Sequence, residues 1–339
     1  MIPNNINTHF PIVSVIVITY NQQDTIKQSL DSILNQVIDF SYEVIIGDDA
    51  SSDRTYEICK EYQNKYPEIV RLFRNTENKG ILNNYYDCVL RANGKYIADC
   101  AGDDFWIDNY KLQKQVNILE KDPEISLVHT GWHYYNPQSH TFSESDPTGS
   151  RKKFLRSISN TNDLVLPILR RDSPIIIHLC TSMYRRDIVI DEYNKDVFLF
   201  RNNEFTCEDI QLEVVMAARG KIAYIPDVTL AYRQGHISAT SDESFEKNFN
   251  FYFGTLKLNR YLQQKYKIGN SELKSYYDTL IPYLYAQLFY SGKREYIKDF
   301  ETYISKIYYK PQWKTFLYRL FLKNKWLHLS IIKIIGKHD

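Results

Sequence analysis

Short β-branched runs alternate with segments of helical periodicity over the first 130 residues of the chain. The run at 13–18, Val-Ser-Val-Ile-Val-Ile, has the composition of a strand buried on both faces. Three further strands are predicted at 42–46, 69–73 and 95–98. A helix is predicted from its N-cap Asp24, because apolar side chains follow at helical spacing at Ile26, Leu30, Ile33 and Leu34. Strands that alternate with helices predict βαβ units and a mainly parallel central sheet, the α/β class.

The middle of the chain is less regular, and its last third is helical in character. Further elements are predicted as a helix at 108–121, a strand at 125–130, a mobile polar loop at 136–162, a strand-like run at 175–180, a helix at 208–218 and a strand at 221–225. Beyond about residue 242 the sequence becomes rich in Tyr, Lys and Leu. We therefore predict one domain over 1–241 and a helical, basic and amphipathic region over 242–339.

The composition of the chain excludes some classes of protein but does not indicate a function. The chain has 339 residues, 43% of them hydrophobic and 24% charged, and a net charge of +1, so nothing in its overall charge favours nucleic acid. Its five cysteines are scattered and form no C-x-x-C pair, which is typical of reduced thiols in a cytosolic protein. No signal peptide is evident, and no apolar run approaches the roughly 20 residues that span a bilayer. We expect a cytoplasmic protein, either soluble or peripheral on the inner face of the cell membrane.

The C-terminal segment is strongly basic, although the net charge of the whole chain is close to zero. From Tyr303 to His338 there are eight Lys or Arg residues and no Asp or Glu. Apolar residues recur there at helical spacing: Trp313, Phe316, Leu317, Leu320, Phe321, Leu327, Ile331 and Ile334. A basic amphipathic helix of this kind suits an anionic membrane surface. The alternative is a terminal helix packed on its own domain with solvated lysines.

Polar clusters follow three of the predicted strands. Residues 19–21 follow the first strand, Asp48 and Asp49 the second, and Asp103 and Asp104 the fourth. In parallel sheets ligands bind at the carboxyl ends of the strands, so these clusters are expected to converge on one edge. Adjacent carboxylates favour a nearby cation, and Mg²⁺ or Mn²⁺ takes one or two carboxylates together with phosphate oxygens. The alternative is that both acidic pairs only cap the helices that follow them.

Three segments together resemble the family 2 glycosyltransferases of the bacterial surface-polysaccharide type. They are residues 13–21 (VSVIVITYN), 42–53 (YEVIIGDDASSD) and 93–106 (NGKYIADCAGDDFW), with Asn78-Lys79-Gly80 before the third. They occur in the order and spacing of the family over roughly residues 12–130. The resemblance implies a GT-A type nucleotide-sugar-binding fold with a helical C-terminal extension, and inversion at the anomeric carbon. It implies a nucleotide-binding half at about 10–130 and an acceptor-side half at about 131–241.

The resemblance also implies a set of donor-binding residues. Thr19 and Tyr20 would line the nucleoside pocket, and Asp49 would accept the imide N–H of the base. Family members often carry an acid where this chain has Ala101, which leaves open which aspartate is the direct metal ligand. Asp99, close by but off the motif, is interpreted as structural. The predicted binding residues are Thr19, Tyr20, Asn21, Asp48, Asp49, Asn78, Gly80, Asp103, Arg233 and His236, with Asp103 and Asp104 as ligands of Mn²⁺ or Mg²⁺.

Glu208 and Asp209 resemble the family element that supplies the catalytic carboxylate. An inverting transfer needs one base to take the proton of the attacking acceptor hydroxyl. Asp209 is predicted as that base and Glu208 as the second choice. The alternative is that both only favour a helix N-terminus through its dipole. Arg233 and His236 resemble, with one extra residue between them, a Tyr-Arg-x-His element near the pyrophosphate, and each can donate to phosphate oxygens.

The predicted function is a metal-dependent inverting transfer of a sugar from a nucleoside diphosphate donor to a hydroxyl of a glycan or lipid-linked acceptor. Family habit favours a UDP-sugar. One alternative is a catalytically inert nucleotide-sugar-binding protein of the same fold. A sugar nucleotidyltransferase is less favoured because the first strand is followed by no Gly-rich loop, and a dehydrogenase because there is no G-x-G-x-x-G motif.

Overall fold

A computed structural model describes residues 10–157, 164–171, 176–206, 208–235, 244–307 and 309–335. Contacts between Cα atoms divide these residues into two compact units. The first unit holds the described residues up to Ile168 together with 176–203 and 208–235. The second holds 169–171, 204–206 and the described residues from 244 onward. The domain boundary predicted after residue 241 stays a prediction.

The described part of the first unit contains a nine-stranded sheet. In chain order its strands are β1 (Val13–Thr19), β2 (Tyr42–Asp48), β3 (Val70–Arg74), β4 (Tyr96–Asp99), β5 (Phe105–Trp106), β6 (Ile125–Asn136), β7 (Thr141–Glu144), β8 (Met183–Arg185) and β9 (Lys221–Arg233). Their lateral order is β3-β2-β1-β4-β8-β6-β9-β5, and β7 pairs with β6. The first four strands of that order are parallel, as are β6 and β9. Strands β5, β7 and β8 run antiparallel to their neighbours.

Helices up to residue 219 connect these strands. They are α1 (Ile26–Leu34), α2 (Thr55–Lys65), α3 (Ile81–Arg91), α4 (Lys111–Lys121), α5 (Ser150–Ser157), α6 (Val165–Arg170), α7 (Arg186–Lys195), α8 (Val197–Arg201) and α9 (Glu208–Arg219). The predicted strands at 13–18, 42–46, 69–73 and 95–98 are β1 to β4. The predicted helices at 108–121 and 208–218 are α4 and α9, so the α/β prediction is confirmed.

The core of the first unit is built around β1. Alternate residues Val13, Val15 and Val17 are fully buried, because β1 lies between β2 and β4 and helices cover the sheet. Helix α1 contributes Ile26, Leu30 and Ile33 to the same cluster, one face of the helix. Each of these side chains contributes about 1.5–3 kcal/mol by leaving water. The four described cysteines are buried and free.

Asp24 is not the N-cap of α1, which corrects one prediction. The helix begins after Thr25, whose side chain makes no capping hydrogen bond. The Thr25 hydroxyl instead donates to the carbonyl of Gly102 at 2.9 Å. The start of α1 is therefore fixed by a tertiary bond to the turn after β4.

The prediction of a loop over 136–162 is wrong for its described part. Asn136 Oδ1 accepts from the amides of Gln138 and Ser139, which closes a turn and lets β7 pair back on β6. Asp146 then caps α5, since its carboxylate accepts from the amides of Arg151 at 3.2 Å and Lys152 at 3.0 Å. Polar residues here make local turns and caps.

The strand-like run predicted at 175–180 is also wrong over its described residues. Leu179–Thr181 forms a 3₁₀ turn, because the amide and the hydroxyl of Thr181 both donate to the carbonyl of His178, at 2.8 and 2.7 Å. The strand lies two residues later, at β8. The run is apolar because Ile177 and Leu179 are buried, and not because it pairs in the sheet.

The second unit is helical, as predicted for the C-terminal extension. Its helices are α10 (Phe245–Lys265), α11 (Lys274–Ser291), α12 (Ile297–Ile304), α13 (Trp313–Lys323) and α14 (Lys325–Ile335). The single amphipathic helix expected near the C-terminus is therefore two helices. Asn324 separates them, and its side chain accepts from the amide of Leu327 at 3.1 Å. Within the described residues, no helix is long and apolar enough to cross a membrane.

Candidate active site

The turn after β4 places the acidic pair at the carboxyl ends of β1 and β4. The amides of Cys100 and Gly102 continue the pairing with β1 by donating to the carbonyls of Ile16 and Ile18. From the other side, α1 holds the turn through the Ser29 hydroxyl, which donates to the carbonyl of Ala101 at 3.0 Å. The residues that follow, Asp103 and Asp104, are called the acidic turn below.

Asp104 is a buried carboxyl group that needs a compensating charge. It is 2% exposed, and its Oδ1 accepts from the amide of Arg233 at 3.0 Å. Burial, followed by the adjacent Asp103, raises the pKa of Asp104 well above its usual range. A proton or a cation therefore stabilises this turn more than an unpaired charge would.

Arg233, predicted to contact phosphate, is bonded to the acidic turn in this structure. Its Nε donates to the carbonyl of Asp103 at 2.8 Å, and its Nη2 donates to Gln28 Oε1 at 2.6 Å. The guanidinium carbon lies 5.5 Å from the ring centre of Phe105 and 5.2 Å from that of Tyr135. The arginine thus links the acidic turn to α1. A contact of Arg233 with phosphate stays a prediction.

Asp49, at the end of β2, anchors the loop before α3. Its carboxylate accepts from the amides of Lys79 and Gly80, both at 2.9 Å, and from Asn75 Nδ2 at 2.8 Å. Asn78 Oδ1 also accepts from the amide of Gly80, at 3.1 Å. Gly80 has a φ of 82°, which disfavours other residues there. The loop through Asn78 and Gly80 is therefore tied to the end of β2.

Asp48 faces the interior beside Asp49. Its side chain is fully buried, with Arg74 Nε at 3.4 Å and the Ser51 amide donating at 3.3 Å. Burial raises the pKa of Asp48, against the hydrogen bonds from Ser51 and the charge of Arg74. These contacts indicate that Asp48 stabilises the turn after β2. Direct contact of Asp48 with a ligand stays a prediction.

The predicted nucleoside pocket begins at the end of β1. Thr19 is buried, and its hydroxyl donates to Gln22 Oε1 at 2.7 Å. Asn21 adopts a φ of 52°, and its Oδ1 accepts from the amide of Ser52 at 2.8 Å. Between them Tyr20 is 48% exposed, so its ring is accessible to a planar ligand. The turn is thus fixed on both sides of an accessible aromatic ring.

Glu208 and Asp209 open α9, which is anchored one turn further on. Gln211 accepts from the hydroxyl of Tyr86 at 2.7 Å and donates to the carbonyl of Leu199 at 2.9 Å. Burial and the charge of Asp209 raise the pKa of Glu208 well above its usual range. Tyr85, the neighbour of Tyr86 in α3, bonds to Asp99 at the end of β4, so α3 connects α9 with the strand that precedes the acidic turn. The role of Asp209 as the base stays a prediction.

A buried polar network lies behind the acidic turn. Asp99 accepts from the hydroxyl of Tyr85 at 2.8 Å, and burial raises the pKa of Asp99 to about 7. Lys111 is fully buried, with its Nζ 4.2 Å from the ring centre of Trp106, and burial lowers its pKa to about 8. Asp99 was expected to be structural, and its buried bond to Tyr85 fits that interpretation.

His178 and Cys180 are residues of this site that sequence reasoning missed. One ligand atom from each, together with a carboxylate oxygen of Asp104, lies within 4.8 Å of the others. His178 packs between the rings of Tyr232, at 4.7 Å, and Trp132, at 5.5 Å. The sequence predicts a strand over this segment, and in a strand the H-x-C spacing of these two residues does not indicate a site by itself. The predicted His236 lies outside the described residues.

Comparisons with known proteins identify the family of the chain and its fold. The model of the family described as "Glycosyl transferase family 2" matches residues 14–192, more than half of the chain. An uncharacterized protein of Mycobacterium tuberculosis is 32% identical over 222 residues, which are 66% of this chain and 58% of that protein. An uncharacterized glycosyltransferase of Methanocaldococcus jannaschii is 32% identical over 139 residues, 40% of this chain and 47% of that protein. The chain thus aligns with about half of the length of these relatives.

Two solved structures share the fold. S. aureus TarS 1–349 in complex with UDP-GlcNAc has a TM-score of 0.61 at 16% identity, covering 96% of this chain and 92% of that one. The mannosyltransferase PcManGT of Pyrobaculum calidifontis, in complex with GDP-Man and Mn²⁺, has a TM-score of 0.50 at 16% identity, covering 95% and 86%. The GT-A type fold predicted from the sequence is confirmed.

Proposed function

The chain belongs to glycosyl transferase family 2, and we propose that it transfers a sugar from a nucleoside diphosphate donor to an acceptor hydroxyl with inversion at the anomeric carbon. One observation carries the proposal: α3 bonds through Tyr85 to Asp99 of β4, the strand that leads into the acidic turn, and through Tyr86 to Gln211 of α9, the helix that opens with the carboxyl pair. These bonds join the helix of the proposed proton acceptor to the strand that leads to the proposed place of the charged leaving group.

The proposed donor is a UDP-sugar. The exposed ring of Tyr20 offers a surface on which the base can stack. The carboxylate of Asp49 accepts three hydrogen bonds from the protein, and about four can be accommodated, so one remains for the imide N–H of uracil. The TarS structure, whose complex holds UDP-GlcNAc, supports a nucleotide-sugar donor.

The proposed metal is Mn²⁺ or Mg²⁺ on Asp103 and Asp104. The ionised form of Asp104 is costly in this buried position beside Asp103, and a bound cation would offset that cost. Ala101 supplies no ligand, which makes the two aspartates the oxygen ligands of the turn. When bound, the metal supplies positive charge to the leaving diphosphate. The Mn²⁺ of the PcManGT complex supports this choice.

The proposed base is Asp209. Burial and the charge of Asp209 raise the pKa of Glu208, which disfavours the ionised form of Glu208 and leaves Asp209 as the proposed acceptor of the hydroxyl proton. Glu208 thus orients and polarises Asp209. The bonds of Gln211 to Tyr86 and Leu199 anchor the first turns of α9, the helix that carries both residues.

The proposed acceptor is a glycan or a lipid-linked sugar, reached at an anionic membrane surface. Helices α13 and α14 expose large apolar side chains at Trp313 (69%) and Trp326 (82%) among lysines. The segment from Tyr303 to His338 holds eight basic residues and no acid, which complements anionic lipid.

Vesicle co-sedimentation tests this partner. We expect the protein to sediment with phosphatidylglycerol vesicles and much less with phosphatidylcholine vesicles. Trp326→Glu should lose that binding, whereas Phe142→Glu, at a residue 50% exposed on β7, should keep it. If Trp326→Glu sediments with phosphatidylglycerol vesicles as much as Phe142→Glu and wild type do, the result contradicts a membrane-binding surface on α13 and α14.

Calorimetry of UDP binding with Mn²⁺ tests the donor site. Asp103→Asn combined with Asp104→Asn should abolish the Mn²⁺-dependent part of the affinity, because both oxygen ligands lose their charge. Asp24→Asn, at an exposed position, is the matched control and should bind as wild type. Metal-dependent binding that survives in the double variant would remove the assignment of the acidic turn.

An inert nucleotide-sugar-binding protein is the second candidate, favoured by Ala101 alone. It shares the donor site and differs in having no turnover. Slow release of UDP from a UDP-sugar by the purified protein with Mn²⁺ would exclude it.

A further inference from the structure

We propose that Asp104, His178 and Cys180 form a binding site for a borderline divalent cation of the zinc type. The site goes beyond the proposed function, because it needs no nucleotide and uses nitrogen and sulfur ligands. It shares Asp104 with the acidic turn.

The geometry is close to that of a metal site. The three ligand atoms lie within 4.8 Å of one another. Around a tetrahedral Zn²⁺, ligand atoms at about 2.0–2.3 Å from the metal lie roughly 3.3–3.7 Å apart. The side chains therefore need to approach by about 1 Å. Two short segments supply them, the turn after β4 and the residues around the 3₁₀ turn at Leu179–Thr181.

The His178 ring presents a nitrogen that fits a ligand. Within the described ranges, its Nδ1 is buried and has no hydrogen-bond partner. Contacts with Tyr232 and Trp132 hold the ring in place. A buried polar atom without a partner costs free energy, and a metal–nitrogen bond would remove that cost.

The other two ligands already have the outer contacts that metal ligands use. The Cys180 sulfur accepts from the amide of Ala101 at 3.3 Å, and Asp104 Oδ1 accepts from the amide of Arg233 at 3.0 Å. Such hydrogen bonds orient ligands toward a metal. Both side chains are buried, so the site is shielded from water.

The ligand types select the metal. Thiolate and imidazole favour Zn²⁺ and Co²⁺, whereas Mg²⁺ and Mn²⁺ favour oxygen alone. Three protein ligands leave a fourth tetrahedral position for water or a phosphate oxygen. The site is therefore expected to discriminate against the metal proposed for the donor.

Cobalt spectroscopy on the full chain without nucleotide tests the site. One equivalent of Co²⁺ should give a near-ultraviolet thiolate-to-metal absorption and the intense visible bands of a tetrahedral ion, and Zn²⁺ should displace both. Cys180→Ser should abolish the near-ultraviolet band. Cys88→Ser, which removes another buried thiol, should keep it.

A near-ultraviolet band that is unchanged in Cys180→Ser, or absent from the wild type at stoichiometric Co²⁺, would overturn the proposal. If Cys180→Ser does not fold, His178→Gln serves instead and should weaken Co²⁺ binding at least about tenfold. Mn²⁺-dependent UDP binding is measured separately. A protein that binds UDP with Mn²⁺ but gives no cobalt band contradicts this site alone, and the reverse result contradicts the donor site alone.

Discussion

Replacement of Asp49 by Asn tests how the end of β2 holds the loop before α3. In the native protein the two carboxylate oxygens accept from three donors, the amides of Lys79 and Gly80 and the side chain of Asn75. An amide of the same shape keeps one acceptor oxygen and turns the other position into a donor. If the oxygen stays toward Lys79 and Asn75, the new NH₂ group faces the amide of Gly80.

The expected cost follows from the lost bond and the donor left behind. A hydrogen bond to a charged group contributes about 1.5–3 kcal/mol, and an unsatisfied buried donor costs about 1–3 kcal/mol. The sum is about 2.5–6 kcal/mol. The loss would lie near the lower value if the loop opens at Gly80 and lets water satisfy the unpaired donor. At about 2–4 °C per kcal/mol, the thermal midpoint should fall by at least about 5 °C.

Thermal denaturation monitored by circular dichroism measures this loss, and calorimetry of UDP binding measures its effect on the site. UDP affinity should fall as well, because Asp49 is both the loop anchor and the proposed partner of the base. Asp24→Asn makes the same chemical change at an exposed residue and should leave both values unchanged. A midpoint for Asp49→Asn within 1 °C or so of wild type would refute the reasoning, since it falls well below the expected shift.

Three further outcomes are expected. Gly94→Ala should lower the thermal midpoint by several degrees, because its Cβ would lie 2.5 Å from the amide nitrogen of Ser14; an unchanged midpoint contradicts this. In wild type, the raised pKa of Asp99, about 7 against 3.8, gives stability that is present at low pH and lost as the pH rises through about 7. Asp99→Asn should flatten that loss in denaturant titrations, and an equal slope would argue otherwise. Arg233→Lys should weaken Mn²⁺-dependent UDP binding at least about tenfold, because two bonds to the acidic turn and Gln28 are lost; full affinity would disprove that role.

The regular elements near the site could be predicted because their patterns are local. Strand β1 is apolar at nearly every position because it is buried on both faces. Helix α1 has apolar residues at helical spacing because it buries one face. The strand ends then follow, and with them the positions of 19–21, 48–49 and the acidic turn. Beyond β4 the lateral order of the strands is β8-β6-β9-β5, so strands that are far apart in the sequence pair with each other. No local sequence pattern indicates this order.

Tertiary hydrogen bonds account for what the sequence did not reveal. Thr25 displaced the expected cap at Asp24 because its hydroxyl reaches Gly102 across the fold. His178 and Cys180 come close to Asp104 only because a 3₁₀ turn replaces the expected strand. Arg233 bonds to Asp103 and Gln28, residues 130 and 205 positions away. Such contacts depend on the assembled sheet and carry no local pattern.

Release of UDP from a UDP-sugar in the presence of Mn²⁺ tests the central claim most directly, when wild type and Asp209→Asn are compared at saturating donor. We expect wild type to release UDP slowly without acceptor and faster with it, and Asp209→Asn to bind the donor as tightly but to release almost none. Release by Asp209→Asn at the wild-type rate would contradict the assignment of the base. No release by a wild-type protein that binds the donor would contradict the proposed enzyme itself.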